Sequence, residues 1–144
     1  MKSRLVLVLY FVLITIRITH ATSEAEKLWE EGEKLYNAGK FKEAIGYYEK
    51  SLSLCRGDNE CISANLNGIG TCYEALNDDM KALPYYEKAL THARKGGNKD
   101  ILATALFNTG AVYYRQSIDY QGAYNNLDES CRYFRELKDK ISLG

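Results

Sequence analysis

The sequence predicts an all-α fold built from three stacked antiparallel helix pairs. The 144-residue chain contains a single proline, and 46% of its residues are hydrophobic and 26% charged, which favours a helical globular domain. The strongest indication is internal repetition, because units that cannot bury their own apolar face must stack on copies of themselves. The recurring positions are Leu28, Gly32, Gly39, Phe41, Ala44 and Tyr48; then Leu66, Gly70, Tyr73, Ala82, Tyr86 and Leu90; then Leu106, Gly110, Tyr113, Tyr120, Ala123 and Leu127.

Residues 1–21 differ from the rest of the chain and are typical of a secretory signal. Basic residues at the start precede an apolar run over 5–16, and the segment closes on the small residue Ala21. The run is too short for a bilayer core, which needs about 20 apolar residues. We therefore expect cleavage after Ala21 and export, as a secreted or periplasmic protein, of a domain spanning 22–144. The alternative is an uncleaved segment that anchors this domain to the outer face of a membrane.

Six helices are predicted from apolar periodicity and from the residues between the periodic segments. Gly39 ends the first helix, because glycine readily takes the left-handed conformation found at helix C-termini. Asn77 and Asp78 offer side-chain oxygens to cap the fourth helix, and Gly96 and Gly97 end it. The expected helices span 24–38, 41–55, 60–76, 79–95, 99–116 and 120–138.

Small residues recur where the two helices of each pair are expected to touch. The first helices carry Gly32, Gly70 and Gly110, and the second helices carry Ala44, Ala82 and Ala123. On these residues the chain resembles the tetratricopeptide repeats. The resemblance implies a right-handed superhelix with repeats near 24–57, 60–97 and 99–138. The glycines are 38 and 40 residues apart, against a usual repeat of about 34, so the chain resembles the longer-repeat branch found in cargo- and signalling-adaptor proteins.

The resemblance also implies that the first helix of each pair lines a concave groove. Aromatic and polar side chains there suit a peptide ligand, because rings supply contact area and Asn amides pair with a peptide backbone. For Trp29 and Phe107 the alternative is packing between repeats. Trp29 and Glu33 stand where the family's carboxylate clamp has Lys and Asn, so the chaperone-type partner is not expected. The implied groove positions are Trp29, Glu33, Tyr36, Asn37, Asn67, Thr71, Glu74, Phe107, Tyr114 and Arg115.

Charge and motif content argue against several functions. Cleavage of the signal removes three of the 19 basic residues and leaves 16 against 19 acidic ones, so an acidic surface disfavours nucleic acid. His92 is the single histidine beyond the signal, and no nucleophile elbow, Cys-x-x-Cys motif or phosphate loop is present. We therefore expect no enzymatic activity, no cofactor and no metal site, and a solvent-exposed His92.

Two tyrosines and four cysteines are expected to have structural roles. Tyr48 and Tyr86 repeat at core spacing, so their rings should be buried with the hydroxyls reaching the surface. In an oxidising compartment a disulfide across the short turn between Cys55 and Cys61 would stabilise the chain by about 2 kcal/mol; the alternative is two free thiols. The remaining pair, Cys72 and Cys131, lies inside predicted helices and should be buried.

The turn between the first two repeats reads Arg56-Gly57-Asp58, which resembles the loops that adhesion ligands present to integrins. Three-residue motifs often occur by chance. The other interpretation is a polar turn with Gly57 at its bend, and we favour it.

Residues 139–143 resemble residues 99–103 at the start of the third repeat, which indicates that a fourth repeat begins there. The preceding helix would then expose an apolar face, which the rest of a longer protein or another chain could cover. Self-association through this face is the alternative function. The main functional prediction is an exported module that binds a peptide or subunit in its groove and acts as a scaffold or assembly component.

Overall fold

The structure, a computed structural model, describes residues 23–142. The predicted signal over 1–21 therefore lies outside the described residues. Those residues form six α-helices and no strands, which confirms the all-α prediction. The helices are α1 (23–37), α2 (Phe41–Leu54), α3 (Asn59–Ala75), α4 (Asp79–Ala93), α5 (Lys99–Arg115) and α6 (Tyr120–Ser142).

The predicted helix ends are close to the observed ones except at α6. We expected α6 to end near residue 138, but it continues without a break to Ser142. The segment over 139–142, which resembles the start of the third repeat, is thus the last turn of α6. No helix among residues 23–142 has the length and apolar character needed to cross a membrane.

Short polar side chains begin four of the helices, and at α6 the Asp119 carboxylate accepts from the backbone N–H of Gly122. The Asp58 carboxylate accepts hydrogen bonds from the backbone N–H groups of the second and third residues of α3, and Asn98 does the same for α5. Asp78 accepts from the backbone of Lys81 in α4. These bonds satisfy N–H groups that have no partner inside the helix, so each turn fixes where the next helix starts.

The repeated glycines lie where a side chain of the second helix meets the first. A Cβ atom added at Gly32 would come within 2.7 Å of the Tyr48 ring, and one at Gly70 within 2.5 Å of the Tyr86 ring. In the third pair a Cβ at Gly110 would come within 3.0 Å of Leu127. The sequence therefore repeats small residues because the two helices of each pair approach closely at these positions.

The rings of Tyr48 and Tyr86 are fully buried, as predicted, but the prediction for their hydroxyls is wrong. Instead of reaching the surface, the Tyr48 hydroxyl donates to Glu33 at 2.5 Å and the Tyr86 hydroxyl donates to Glu74 at 2.6 Å. Burial, followed by these hydrogen bonds, raises the pKa of both phenols. Each tyrosine thus extends from the second helix of its pair and donates a hydrogen bond to a carboxylate of the first helix.

A buried serine hydroxyl links the two helices of every pair. The contacts are Ser51 to the carbonyl of Ala25, Ser63 to that of Ala89 and Ser130 to that of Ala103, with oxygen–oxygen distances of 2.7, 2.9 and 2.7 Å. The serine lies on the second helix in the first and third pairs and on the first helix in the second pair. The same contact therefore forms in all three pairs, although in the second pair the serine and the alanine lie on exchanged helices.

Two sequence predictions about exposure are wrong. Cys72 is fully buried as expected, but Cys131 is exposed, because it lies on the face of α6 that no other described helix covers. His92 was expected in solvent, but it is half-buried and its Nδ1 lies 2.9 Å from Oδ1 of Asn59 in α3. That contact helps to hold α4 against α3.

Candidate functional site

A groove of about 580 Å³ runs along one side of the stack. Side chains of α1, α3 and α5 line it, together with the end of α2 and the turn that follows. The first helices of all three pairs therefore share one concave surface, and three helices contribute to a single site.

The α1 wall of the groove contains Trp29 and Glu33. The Nε1 atom of Trp29 is buried and, within residues 23–142, has no hydrogen-bond partner. A buried N–H without a partner is uncommon in folded proteins and costs about 1–3 kcal/mol of desolvation, so it marks a place where a ligand acceptor would be favourable.

The α3 wall contains Asn65, which is 1% exposed and lies beside the disulfide of Cys55 and Cys61. The Asn65 amide donates to the Cys61 carbonyl at 3.0 Å and contacts the Cys55 sulfur at 3.4 Å. Its Oδ1 atom is buried without a partner in the described part of the chain. Two residues of the lining thus each hold one unpartnered polar atom, a donor on Trp29 and an acceptor on Asn65, and both atoms are shielded from solvent.

The α5 wall contributes Thr104 and Asn108, spaced one helical turn apart. Nδ2 of Asn108 lies 3.5 Å from Oδ1 of Asn67 on α3, a long contact that leaves both amides able to bind another group. Thr71 of α3 lies beside them in the groove, with its hydroxyl donating to the backbone of its own helix.

The turn that carries the Arg-Gly-Asp sequence borders the groove through Asp58, whereas Arg56 and Gly57 are not part of the lining. Gly57 has a φ angle of +86°, in the left-handed region that glycine tolerates, and it forms the bend. The Asp58 carboxylate caps α3 and lines the groove. Its oxygen is therefore engaged by backbone N–H groups of the helix that it starts.

Four of the ten sequence-predicted groove residues line the groove: Trp29, Glu33, Asn67 and Thr71. Two more lie at the end of α1, where Tyr36 packs against the Phe41 ring at 5.4 Å and Asn37 is exposed. Phe107 and Tyr114 are 51% and 63% exposed and lie outside the groove.

The remaining two predicted residues, Glu74 and Arg115, form a charged cluster between the second and third repeats. Arg115 contacts Glu74 at 2.8 Å and Asp79 at 3.0 Å, and Glu74 also accepts the Tyr86 hydroxyl. The hydrogen bond from Arg115, helped by one from Gln116, lowers the pKa of Asp79. This cluster links α3, α4 and α5.

Sequence reasoning missed the groove residues of α5 because it used the same position in each repeat. In α1 and α3 the lining extends one residue past the repeat glycine, to Glu33 and Thr71, whereas in α5 it stops at Asn108, two residues before Gly110. The groove therefore crosses the helices obliquely, as expected when successive repeats rotate. The missed signal is the four-residue spacing of Asp100, Thr104 and Asn108.

A second surface lies on α6. Apolar side chains recur along it at alternating steps of four and three residues from 120 to 134, with one more at 141, and several are largely exposed. The members of this α6 stripe are Tyr120, Tyr124, Leu127, Cys131, Phe134 and Ile141. Tyr124 is 66% and Ile141 is 82% exposed. The stripe borders the buried face of α6 at Leu127, which lies one helical turn from the buried residues Ala123 and Ser130.

A family model described as tetratricopeptide repeat matches residues 23–95 and 62–136, which together contain α1 to α5 and α6 up to residue 136. The chain belongs to the tetratricopeptide repeat family. Repeats of this family mediate protein–protein interaction and scaffolding and are generally not enzymes. Proteins of this family bind protein partners.

Several proteins contain segments similar to this chain. G-protein-signaling modulator 1 of Homo sapiens is 32% identical over 56% of the chain, and Heat shock protein STI1 of Saccharomyces cerevisiae is 29% identical over 49%. Response regulator aspartate phosphatase A of Bacillus subtilis is 27% identical over 68%. The chain covers 12%, 18% and 26% of these three proteins, so the similarity concerns the repeats and a small part of each relative.

Proposed function

We propose that the groove binds an extended peptide segment of another protein, and that the chain acts in this way as a scaffold or assembly component outside the cytoplasm. The main support is the pair of buried groups without a partner in residues 23–142, the Trp29 N–H and the Asn65 carbonyl oxygen. A peptide unit supplies both an acceptor and a donor, so a bound backbone that displaces the side chains shielding these atoms can satisfy both groups. Asn67 and Asn108 add amides suited to the same backbone.

Replacement of Trp29 by Phe tests the groove, because it keeps an aromatic ring and removes the unpartnered N–H. The full chain is used to select binders from a random peptide library, and the affinity of an enriched peptide is measured by fluorescence anisotropy. We expect Trp29→Phe to weaken binding about tenfold, equivalent to about 1.4 kcal/mol, and to leave thermal stability unchanged or raised.

Tyr114→Phe is the matched control. It removes one hydroxyl from an aromatic residue that is 63% exposed outside the groove, so it should leave peptide affinity unchanged. Equal loss of affinity in both variants, or selected peptides insensitive to Trp29→Phe, would reject the groove as the binding site.

The export proposal is supported by the signal-like sequence of residues 1–21 and by the disulfide between Cys55 and Cys61, a bond typical of oxidising compartments. Intact-mass measurement of protein recovered from the culture medium or periplasm tests it. A mature chain that starts at Thr22 is expected. Recovery of the chain with Met1 in the cytoplasmic fraction alone would contradict export.

A second candidate function is self-association through the α6 stripe. Alternating four- and three-residue steps of apolar side chains are the spacing by which two helices pack side by side, so a second copy of α6 is a suitable partner. Light scattering coupled to size-exclusion chromatography should then show a dimer that Tyr124→Glu dissociates. Met80→Glu, at a site 67% exposed on α4, is the control and should leave the dimer intact. A monomeric wild-type chain would reject this function.

A further inference from the structure

The charged side chains that line the groove are all acidic. They are Glu26 and Glu33 of α1, Asp58 of the turn, Glu60 of α3 and Asp100 of α5, and no Lys, Arg or His lies among the described residues of the lining. Within residues 23–142 none of these five carboxylates is in an ion pair, although eight ion pairs form elsewhere. The groove therefore carries negative charge that the chain itself leaves uncompensated.

Two cations near the groove are paired with carboxylates of α6. Lys99, next to Asp100, contacts Glu136 of α6 at 2.6 Å, and Arg94 contacts Glu129 of α6 at 2.9 Å. Both carboxylate partners belong to α6, which contributes no residue to the groove lining.

Three groove carboxylates accept hydrogen bonds from the chain, Glu33 from the Tyr48 hydroxyl, Asp58 from the start of α3 and Glu60 from the Gly97 backbone. Glu26 and Asp100 accept none within residues 23–142, so these two are the most available to a ligand.

A buried acceptor points to the same ligand chemistry. Asn65 is 1% exposed, lines the groove, and has an Oδ1 atom without a partner in the described part of the chain, so it favours a ligand N–H group. Trp29 in the opposite wall is the aromatic side chain that best attracts a cation. Carboxylates, a free carbonyl oxygen and an indole together suit an ammonium or guanidinium group.

We propose that the peptide held in this groove is basic, with Lys or Arg side chains that pair with the groove carboxylates. This inference rests on the proposed function, because it specifies the ligand of the same groove. An acidic or phosphorylated peptide would be repelled by the same five carboxylates, and complementary charge determines which partner is accepted more than it determines raw affinity.

Three fluorescent peptides of equal length test the proposal on the full chain. They share a Gly/Ser background and carry Lys and Arg, Gln, or Glu at the same alternating positions. We expect the basic peptide to bind about tenfold or more tightly than the Gln peptide, the Glu peptide to bind most weakly, and the affinity of the basic peptide to fall as the NaCl concentration rises.

Variants identify which carboxylates are responsible. Glu26→Gln combined with Asp100→Asn removes two exposed groove charges that hold no hydrogen bond to any residue of 23–142, so the fold should be kept. We expect about a tenfold loss for the basic peptide and little change for the Gln peptide. Glu43→Gln combined with Glu49→Gln removes two charges from α2 outside the groove and should change neither affinity.

The outcomes separate this inference from the proposed function. Tight binding of the Gln or Glu peptide that Trp29→Phe weakens would overturn the basic ligand and keep the groove as a peptide site. Equal loss in the two double variants would show attraction by net charge alone, and would also overturn it. Failure of all three peptides to bind, with no binder from the random library, would reject both proposals.

Discussion

The hydroxyl of Tyr86 donates a 2.6 Å hydrogen bond to the carboxylate of Glu74. The same carboxylate contacts Arg115 of the next repeat, and the Tyr86 ring fills the space that Gly70 leaves open. Tyr86 therefore packs within its own repeat and also bonds to the charged cluster that connects this repeat to the next one.

Replacement of Tyr86 by Phe should destabilise the chain, because it removes a hydrogen bond to a charged group and leaves the ring in place. We expect the free energy of unfolding to fall by about 1.5 kcal/mol, measured by urea denaturation followed by circular dichroism. Tyr124→Phe is the control, since that residue is 66% exposed, and it should change stability by less than about 0.5 kcal/mol. Equal effects of the two substitutions would contradict the role given to the bond.

The fold could be predicted from sequence because its strongest signals are contacts within one helix pair. Gly70 and Tyr86 are close in the chain and repeat with the pattern, so their spacing alone indicates helices that approach closely. The hydrogen-bond partner of the Tyr86 hydroxyl could not be predicted from sequence spacing in this way. Its partner Glu74 is a charged residue that on pattern alone belongs in solvent, and the clustering with Arg115 appears only when two repeats are stacked.

Only part of the groove lining was predicted from the sequence, and the reason is related. Glu33 and Thr71 lie at equivalent positions and both line it, but the rotation between repeats moves the lining of α5 toward its start, at Asp100 and Thr104. A rule that transfers one position to every repeat does not include that rotation. Exposure of Cys131 was missed for a similar reason, since helical position alone does not show which faces a neighbouring helix covers.

Substitution of Gly70 by Ala should be strongly destabilising. The added Cβ would lie 2.5 Å from the buried Tyr86 ring, so the helices must separate, at a cost of about 1–3 kcal/mol. Gly46→Ala is a matched helical control with no atom within 4 Å of the new Cβ, and it should stabilise the chain by about 0.5–1 kcal/mol. Thermal unfolding of both variants should show a loss of stability for Gly70→Ala and a gain for Gly46→Ala. A stabilised Gly70→Ala variant would show that the ring can move aside.

Exchange of Ser63 and Ala89 tests whether the buried serine contact is equivalent in the three helix pairs. Ser63→Ala removes a 2.9 Å hydrogen bond to the Ala89 carbonyl and should cost about 1 kcal/mol. Adding Ala89→Ser places the hydroxyl on the second helix, as Ser51 and Ser130 do in the flanking pairs, and should restore most of the loss. Chemical denaturation of the two single variants and the double variant gives the coupling energy. Additive losses would show that the second pair cannot accept the exchanged arrangement.

The two free cysteines of the described residues should react at very different rates. Burial raises the pKa of Cys72 to about 11, so at pH 8 its thiol is protonated as well as inaccessible, whereas Cys131 is exposed on α6. Mass spectrometry after brief alkylation of the native, unreduced chain should show one modified thiol, at Cys131. Cys131→Ser should abolish rapid labelling, and labelling in urea should then reveal Cys72. Rapid native modification of Cys72 would mean that the first two repeats open readily.

Asp79 should make stability depend on pH in the acid range. The hydrogen bond from Arg115 lowers its pKa below the ordinary 3.8, so the folded state binds its proton less readily than the unfolded state does. The contribution is therefore complete above about pH 4 and is lost as the pH falls through the folded pKa. Urea denaturation at a series of pH values should show Asp79→Asn less stable than wild type near neutrality, with the difference shrinking in acid. Asp128→Asn, which removes an exposed pair with Arg132 within α6, is the control and should have a small effect. A wild-type advantage that grows as the pH falls would contradict the assignment, because a carboxyl with a lowered pKa can only lose stabilisation on protonation.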